Sequence, residues 1–313
     1  MTNILMSGYI ISSLFLLFLI NSPIETRHFE FSYSAEDQKL AQELSGNLEK
    51  IRAEIVATIG YDPPGKIEIL LAGPERIAAE ESTIKNWIPP WISAIAIPEK
   101  QLVILKTRGQ RAGLPFEPEK TLTHELVHMV LGPATGHHPI PTWLNEGLAM
   151  YLAQEWKFQH TFILFKASIS GTLPRLSELD QDFSGTEEEV RLAYGLSFSF
   201  ISFLLESFGK DRLREWIGKI GQGQAWEEAF SESFPKNFYQ AENEWKKKLK
   251  LRYAWAPFIF SGTGIWFLLT LLFILSYLAK RRRAEQTLNR WRQEEGYYFP
   301  EEEDDDPIDP TVH

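Results

Sequence analysis

His124, Glu125 and His128 stand in the order H-E-x-x-H. Positions i and i+4 share one face of an α-helix, about one turn apart. A helix here would bring two imidazoles to one side, where they can bind one zinc ion at ~2.0–2.1 Å each. Glu125 would project beside them, where a carboxylate can take a proton from a metal-activated water. Accidental matches expected from this composition number about 0.02, so the motif is specific. The chain has no cysteine. That excludes disulfides, thiol nucleophiles and thiolate ligands, so a transition-metal site must use His, Asp and Glu.

Catalytic zinc needs three protein ligands and an open position. The third candidate is Glu146, in Pro141-Thr142-Trp143-Leu144-Asn145-Glu146-Gly147-Leu148-Ala149. Thr142 is suited to cap a helix that carries Glu146 about one turn in. Pro118 fits the first turn of the motif helix and Gly132-Pro133 its stop. Leu122, Leu126, Val127, Val130 and Leu131 give that helix an apolar side for the core. Seventeen residues separate His128 from Glu146, and the turn residues 132–136 let the second helix fold back on the first. His137 and His138 lie in this connection. Glu146 already completes the ligand set, so they are expected to be exposed loop residues.

This pattern, H-E-x-x-H followed by W-L-N-E-G-x-A, resembles the gluzincin zinc peptidases, most closely the peptidase MA-like group. That group is related to the thermolysin and zinc aminopeptidase families. The resemblance covers about 35 residues, 118–151. It implies His124, His128 and Glu146 as zinc ligands, Glu125 as general base, and a peptide or protein substrate. It also implies a substrate-binding edge strand upstream, for which Ala94–Ile97 or Gln101–Leu105 could serve. Tyr194, at a family-like position opening a helix, is the first choice for the donor that steadies the oxyanion; His160 is the second. Two departures stand out. No G-x-M-E-N stretch is present, so aminopeptidase action has no support. Met150, and no Asp, stands four residues after Glu146, which leaves the partner of a ligand histidine unassigned.

Around these residues the pattern is α+β: a small N-terminal sheet with helices, then a mainly α-helical zincin-like half. Residues 28–33, 66–73 and 94–105 read as strands. Ser34 opens a helix with Asp37 as its capping partner, striped by Leu40, Leu44, Leu48, Ile51 and Ile55 and ended by Gly60. Helical spacing marks 118–131, 142–156, 187–208, 210–220, 224–232 and 236–252. Phe198, Phe200, Phe203 and Phe208 read as a core face. There is no nucleotide-binding glycine fingerprint.

Two uncharged apolar runs bracket this block. Residues 4–20 suit a signal peptide or signal anchor within 1–24. Residues 256–279 are twenty-four positions without a charge, ~36 Å of helix and enough to span a bilayer. Lys280–Arg283 follow that run, and Lys246, Lys247, Lys248, Lys250 and Arg252 precede it, so the positive-inside bias is nearly balanced. The N-terminal export signal breaks the tie. It places the 25–252 domain outside the cytoplasm at the cell membrane, the 280–313 tail inside, and the 246–252 cluster near lipid head groups. The tail ends in an acidic, solvated stretch. The net charge of −10 argues against nucleic-acid binding. The motif is flanked by Glu117, Glu119 and Lys120, which disfavours a site inside the bilayer. The expected activity is therefore a membrane-anchored zinc metallopeptidase, the alternative being a catalytically silent binding scaffold of the same fold.

Overall fold

Phe29 and Phe31 are fully buried while Glu30 between them is exposed, the alternation of a half-buried strand. This is β2 (Phe29–Ser32). The computed structural model describes residues 23–73, 93–108, 116–156, 158–171, 173–179, 182–253 and 262–298. The first apolar run, 4–20, lies outside the described residues, as do 256–261 of the second and the acidic end of the tail. Ile24, placed in the leader by the sequence, belongs to the sheet: β1 (Ile24–Glu25) pairs antiparallel with β2.

β2 runs parallel to β3 (Ile67–Ala72), and α1 (Gln38–Ile59) makes the crossover that parallel pairing needs. β3 is also parallel to β5 (Leu102–Lys106), which pairs antiparallel with β4 (Ala94–Ile97). The order is β1-β2-β3-β5-β4. The stretch 94–105 is thus a hairpin, turned at Gln101 with a left-handed φ of 50°. Of the two strands offered as a substrate rim, β4 is the edge strand among the described residues, while β5 is paired on both sides.

Ser34 opens a single 3-10 turn, Ala35–Asp37, and its hydroxyl donates to the Asp37 carboxylate at 2.8 Å. The helix proper starts at Gln38 and ends at Gly60, whose φ of 85° favours glycine. Glu49 ties α1 to the first strands. Its carboxylate accepts from Thr26 Oγ1 at 2.6 Å, His28 N at 2.8 Å and His28 Nδ1 at 2.7 Å. Burial opposes its ionisation, but these bonds outweigh it and hold the carboxyl at about 2. A depressed carboxylate stabilises above its unfolded value and loses that contribution as pH falls through the folded one. Glu49→Gln should therefore destabilise by about 1.5 kcal/mol at neutral pH, after allowance for solvent screening. In urea unfolding the gap to wild type should narrow as pH falls from about 4.5 toward about 2. A gap that does not change with pH would remove the ionic contribution.

Six α-helices follow, up to Tyr253, among the described residues: α2 (Pro118–Ala134), α3 (Thr142–Leu152), α4 (Phe158–Ser170), α5 (Glu187–Gly221), α6 (Trp226–Ser233) and α7 (Phe238–Tyr253). Three details differ from the sequence expectation. α2 continues through Pro133, because a proline in the last turn removes only one N–H, and the helix end is closed by Thr135 N and His137 N donating to the Leu131 and Gly132 carbonyls at 2.9 Å. Pro141 takes the cap position, and Thr142 is already helical. α4 has no counterpart in the helical spacing of the sequence, because Phe162-Ile163-Leu164-Phe165 is a continuous apolar run with no period of its own.

The break expected between 208 and 210 is real. Gly209 has φ 80° and ψ 172° inside α5. By length and composition α5 is apolar enough to cross a membrane, yet half of that stretch is buried in protein. Its Phe200 and Trp216 are fully buried and pack on Trp143 of α3 at 5.4 and 6.2 Å. We therefore assign α5 to the domain core.

The chain divides into two compact units, Met1–Leu251 and Arg252–His313. The second holds α8 (Gly262–Tyr298). Its apolar residues from Trp266 to Leu278 are exposed all round, Trp266 at 71% and Phe273 at 74%.

Candidate metal centre

Leu122, Leu126, Val127, Val130 and Leu131 of α2 are buried, where the helix packs on α1, β4, β5 and α3. With that side committed to the core, the opposite side presents His124, Glu125 and His128, all half-buried. α3 returns across them. The Glu146 carboxylate lies 3.4 Å from His124 Nε2 and 3.8 Å from His128 Nε2. Two donors each ~2.0–2.1 Å from one tetrahedral ion sit roughly 3.4 Å apart. One ligand atom from each residue falls within 4.8 Å of the others, and the set is the one such group among the described residues. The donor set of two imidazoles and a carboxylate therefore fits zinc.

Glu146 is fixed from behind by its own helix. Trp143, one turn earlier, is fully buried against Phe200, Trp216, Trp226 and Phe238. Gly147 sits so close to α5 that a Cβ there would lie 2.7 Å from the Ser197 carbonyl oxygen. Only glycine allows that approach, and the approach brings Tyr194 to the centre. The Tyr194 hydroxyl donates to the Glu146 carboxylate, and its ring meets Phe183 edge-on at 5.2 Å.

The outer ring nitrogens are also held. His128 Nδ1 donates to Asn145 Oδ1 at 3.0 Å, and His124 Nδ1 donates to Glu155 Oε2 at 3.1 Å. Each bond turns an Nε2 toward the centre and makes it a better ligand. These two partners were missing from the sequence reading. Asn145 carries a signal, since it adjoins Glu146 on a helix facing the motif. Glu155 carries none, because a tertiary turn delivers it. Gln154 takes a left-handed φ of 53°, and the Glu155 N–H donates back to the Met150 carbonyl at 3.0 Å. Met150 itself is 3% exposed and packs in the core.

The electrostatics are those of a cation site. Burial works against a charged His124, but the hydrogen bonds to Glu146 and Glu155 override it and push this imidazole up to about 10. Burial pushes His128 down. Burial also opposes the charge on Glu146, yet His124, His128 and Tyr194 keep its carboxyl below the usual range. Glu125 differs: desolvation raises it to about 7, against the opposing pull of His124 and of the Ala96 N–H, which donates to it from β4. Desolvation and the surrounding carboxylates push the Tyr194 phenol up.

His137 and His138 are exposed on the connecting loop. His160 lies on α4 against the Trp156 ring, 5.4 Å between centroids. No curated protein matches the chain. The model of the Peptidase MA superfamily matches residues 82–251, more than half of the chain, and its match ends with the first compact unit at Leu251. The fold, the histidine pair and the returning glutamate agree with that match, and the chain belongs to the Peptidase MA superfamily.

Proposed function

We propose that the chain is a zinc-dependent metallopeptidase anchored in the cell membrane, its peptidase domain outside the cytoplasm. The convergence of His124, His128 and Glu146, with Glu125 alongside, carries this reading. Zinc held by the three residues would polarise a peptide carbonyl and acidify a water. Glu125 takes the proton of the attacking water and returns it to the departing nitrogen. Its proton affinity near neutrality suits both transfers. The edge strand β4 aligns an extended peptide as an added strand. Tyr194 swings its hydroxyl from Glu146 to the developing oxyanion. A silent scaffold has no chemical use for a carboxylate set beside the ligand group, as Glu125 is, and no observation favours that reading.

The anchor rests on residues 256–279. They carry no charge, and their helical part exposes apolar side chains on every side, a pattern that water does not tolerate and hydrocarbon does. Lys280–Arg283 then face the cytoplasm.

The test is metal content and hydrolysis of the full chain in nanodiscs. Wild type should hold one zinc and cleave an unstructured protein, lose cleavage to a chelator and regain it with zinc. His128→Ala should lose both metal and activity. Zinc retained by His128→Ala would overturn the assignment of the centre.

A further inference from the structure

On α7 the residues Phe238, Ala241, Glu242, Trp245 and Leu249 are buried. The opposite face, at the same helical period, carries Tyr239, Asn243, Lys247, Lys250 and Leu251. Glu244, three residues before Lys247, borders this face, and its carboxylate is taken by Lys236 and Lys248. Tyr239 is 61% and Leu251 73% exposed, large values for an aromatic and an aliphatic side chain on a folded domain. The neighbouring cations are engaged: Lys246 pairs with Glu242 at 3.0 Å, and Lys248 pairs with Glu244 at 3.4 Å and lies over the Phe203 ring. Lys247 and Lys250 are exposed and have no ion pair among the described residues. In a chain with a net charge of −10, such a face repels no anionic surface locally and attracts one.

From this we infer that the outer face of α7 docks onto an anionic phospholipid surface, the two lysines on the head groups and Tyr239 and Leu251 at the interface. What selects a bilayer over an acidic protein is chain continuity: the uncharged run 256–279 begins five residues after Leu251. Tyrosine favours the head-group layer, and basic residues beside a span meet the surface potential there. The inference rests on the anchored reading above. It adds that the peptidase domain is held against the bilayer, so that its substrates would be membrane-proximal.

The absence of cysteine makes the test clean. Asn243→Cys, labelled with an environment-sensitive fluorophore, gives one probe on this face. The full-length chain is reconstituted in vesicles of phosphatidylcholine alone or mixed equally with phosphatidylglycerol, each with head-group spin-labelled lipid as quencher. A surface lysine contributes about fivefold to such binding. Quenching should report a docked-to-undocked ratio about thirtyfold higher in the anionic vesicles, lost in Lys247→Glu/Lys250→Glu, with zinc content unchanged. Equal quenching in both vesicles, or quenching indifferent to the double substitution, would overturn the docking face while the anchor stands. Extraction of the chain from vesicles by alkaline carbonate would overturn the anchor and the docking face together.

Discussion

Glu125→Gln should retain zinc and lose about three orders of magnitude in kcat, the size of a general-base contribution in the middle of its range. The substitution keeps shape and leaves an acceptor for the N–H of Ala96 in β4. It removes the lone function no neighbour can replace. Glu146 is engaged with both histidines and with Tyr194, and Glu155 is turned to the far side of the His124 ring. Neither can reach the water as a base. Stability should not fall, because a neutral amide avoids the desolvation that raises the Glu125 carboxyl to about 7. The measurement is kcat and KM on an unstructured protein with zinc content determined on the same sample. A variant with full zinc and full hydrolysis would remove Glu125 from the chemistry. One that loses zinc as well would show that it holds the metal group together.

The grouping of His124, His128 and Glu146 was legible because most of it is written in local spacing. H-E-x-x-H needs only a helix to put His124 and His128 on one face, and the apolar positions 122, 126, 127, 130 and 131 state which side that helix buries. Glu146 was legible because the turn residues 132–136 and a second apolar helix after them lead the chain back on the first. The break at Gly209 was likewise local. What escaped depended on contacts distant in sequence. The Ala96 N–H reaches Glu125 only because β4 is the sheet edge beside α2, a fact of strand order that no pattern within 94–105 contains. Gly147 reads as a weak helix residue until the Ser197 carbonyl of α5 is seen above it. α4 escaped for the opposite reason: its apolar run fits helix and strand equally, and its packing against α5 decides the matter.

Glu155 gives the second large expected effect. Met150 stands four residues after Glu146, and the partner of His124 arrives instead from nine residues on, by way of the left-handed turn at Gln154. Its carboxylate fixes the ring of His124 and adds electron density to Nε2, so it acts as a positioning residue through that histidine. Glu155→Ala should weaken zinc binding by about 10- to 100-fold. Glu155→Gln keeps an acceptor for Nδ1–H without the charge, and should fall between Ala and wild type. A merely structural role predicts otherwise: it would lower the unfolding midpoint of the metal-free chain and leave zinc affinity alone. Competition with a chelator of known affinity, run beside urea unfolding of the metal-free chain, separates the two. The order wild type, Gln, Ala in zinc affinity, with little change in metal-free stability, is the expected result. An Ala variant that binds zinc as wild type does would reduce the 3.1 Å contact to a bystander. The same comparison at Asn145, which bonds His128 at 3.0 Å through a neutral amide, should give a smaller loss. A neutral acceptor orients an imidazole but polarises it less than a carboxylate does.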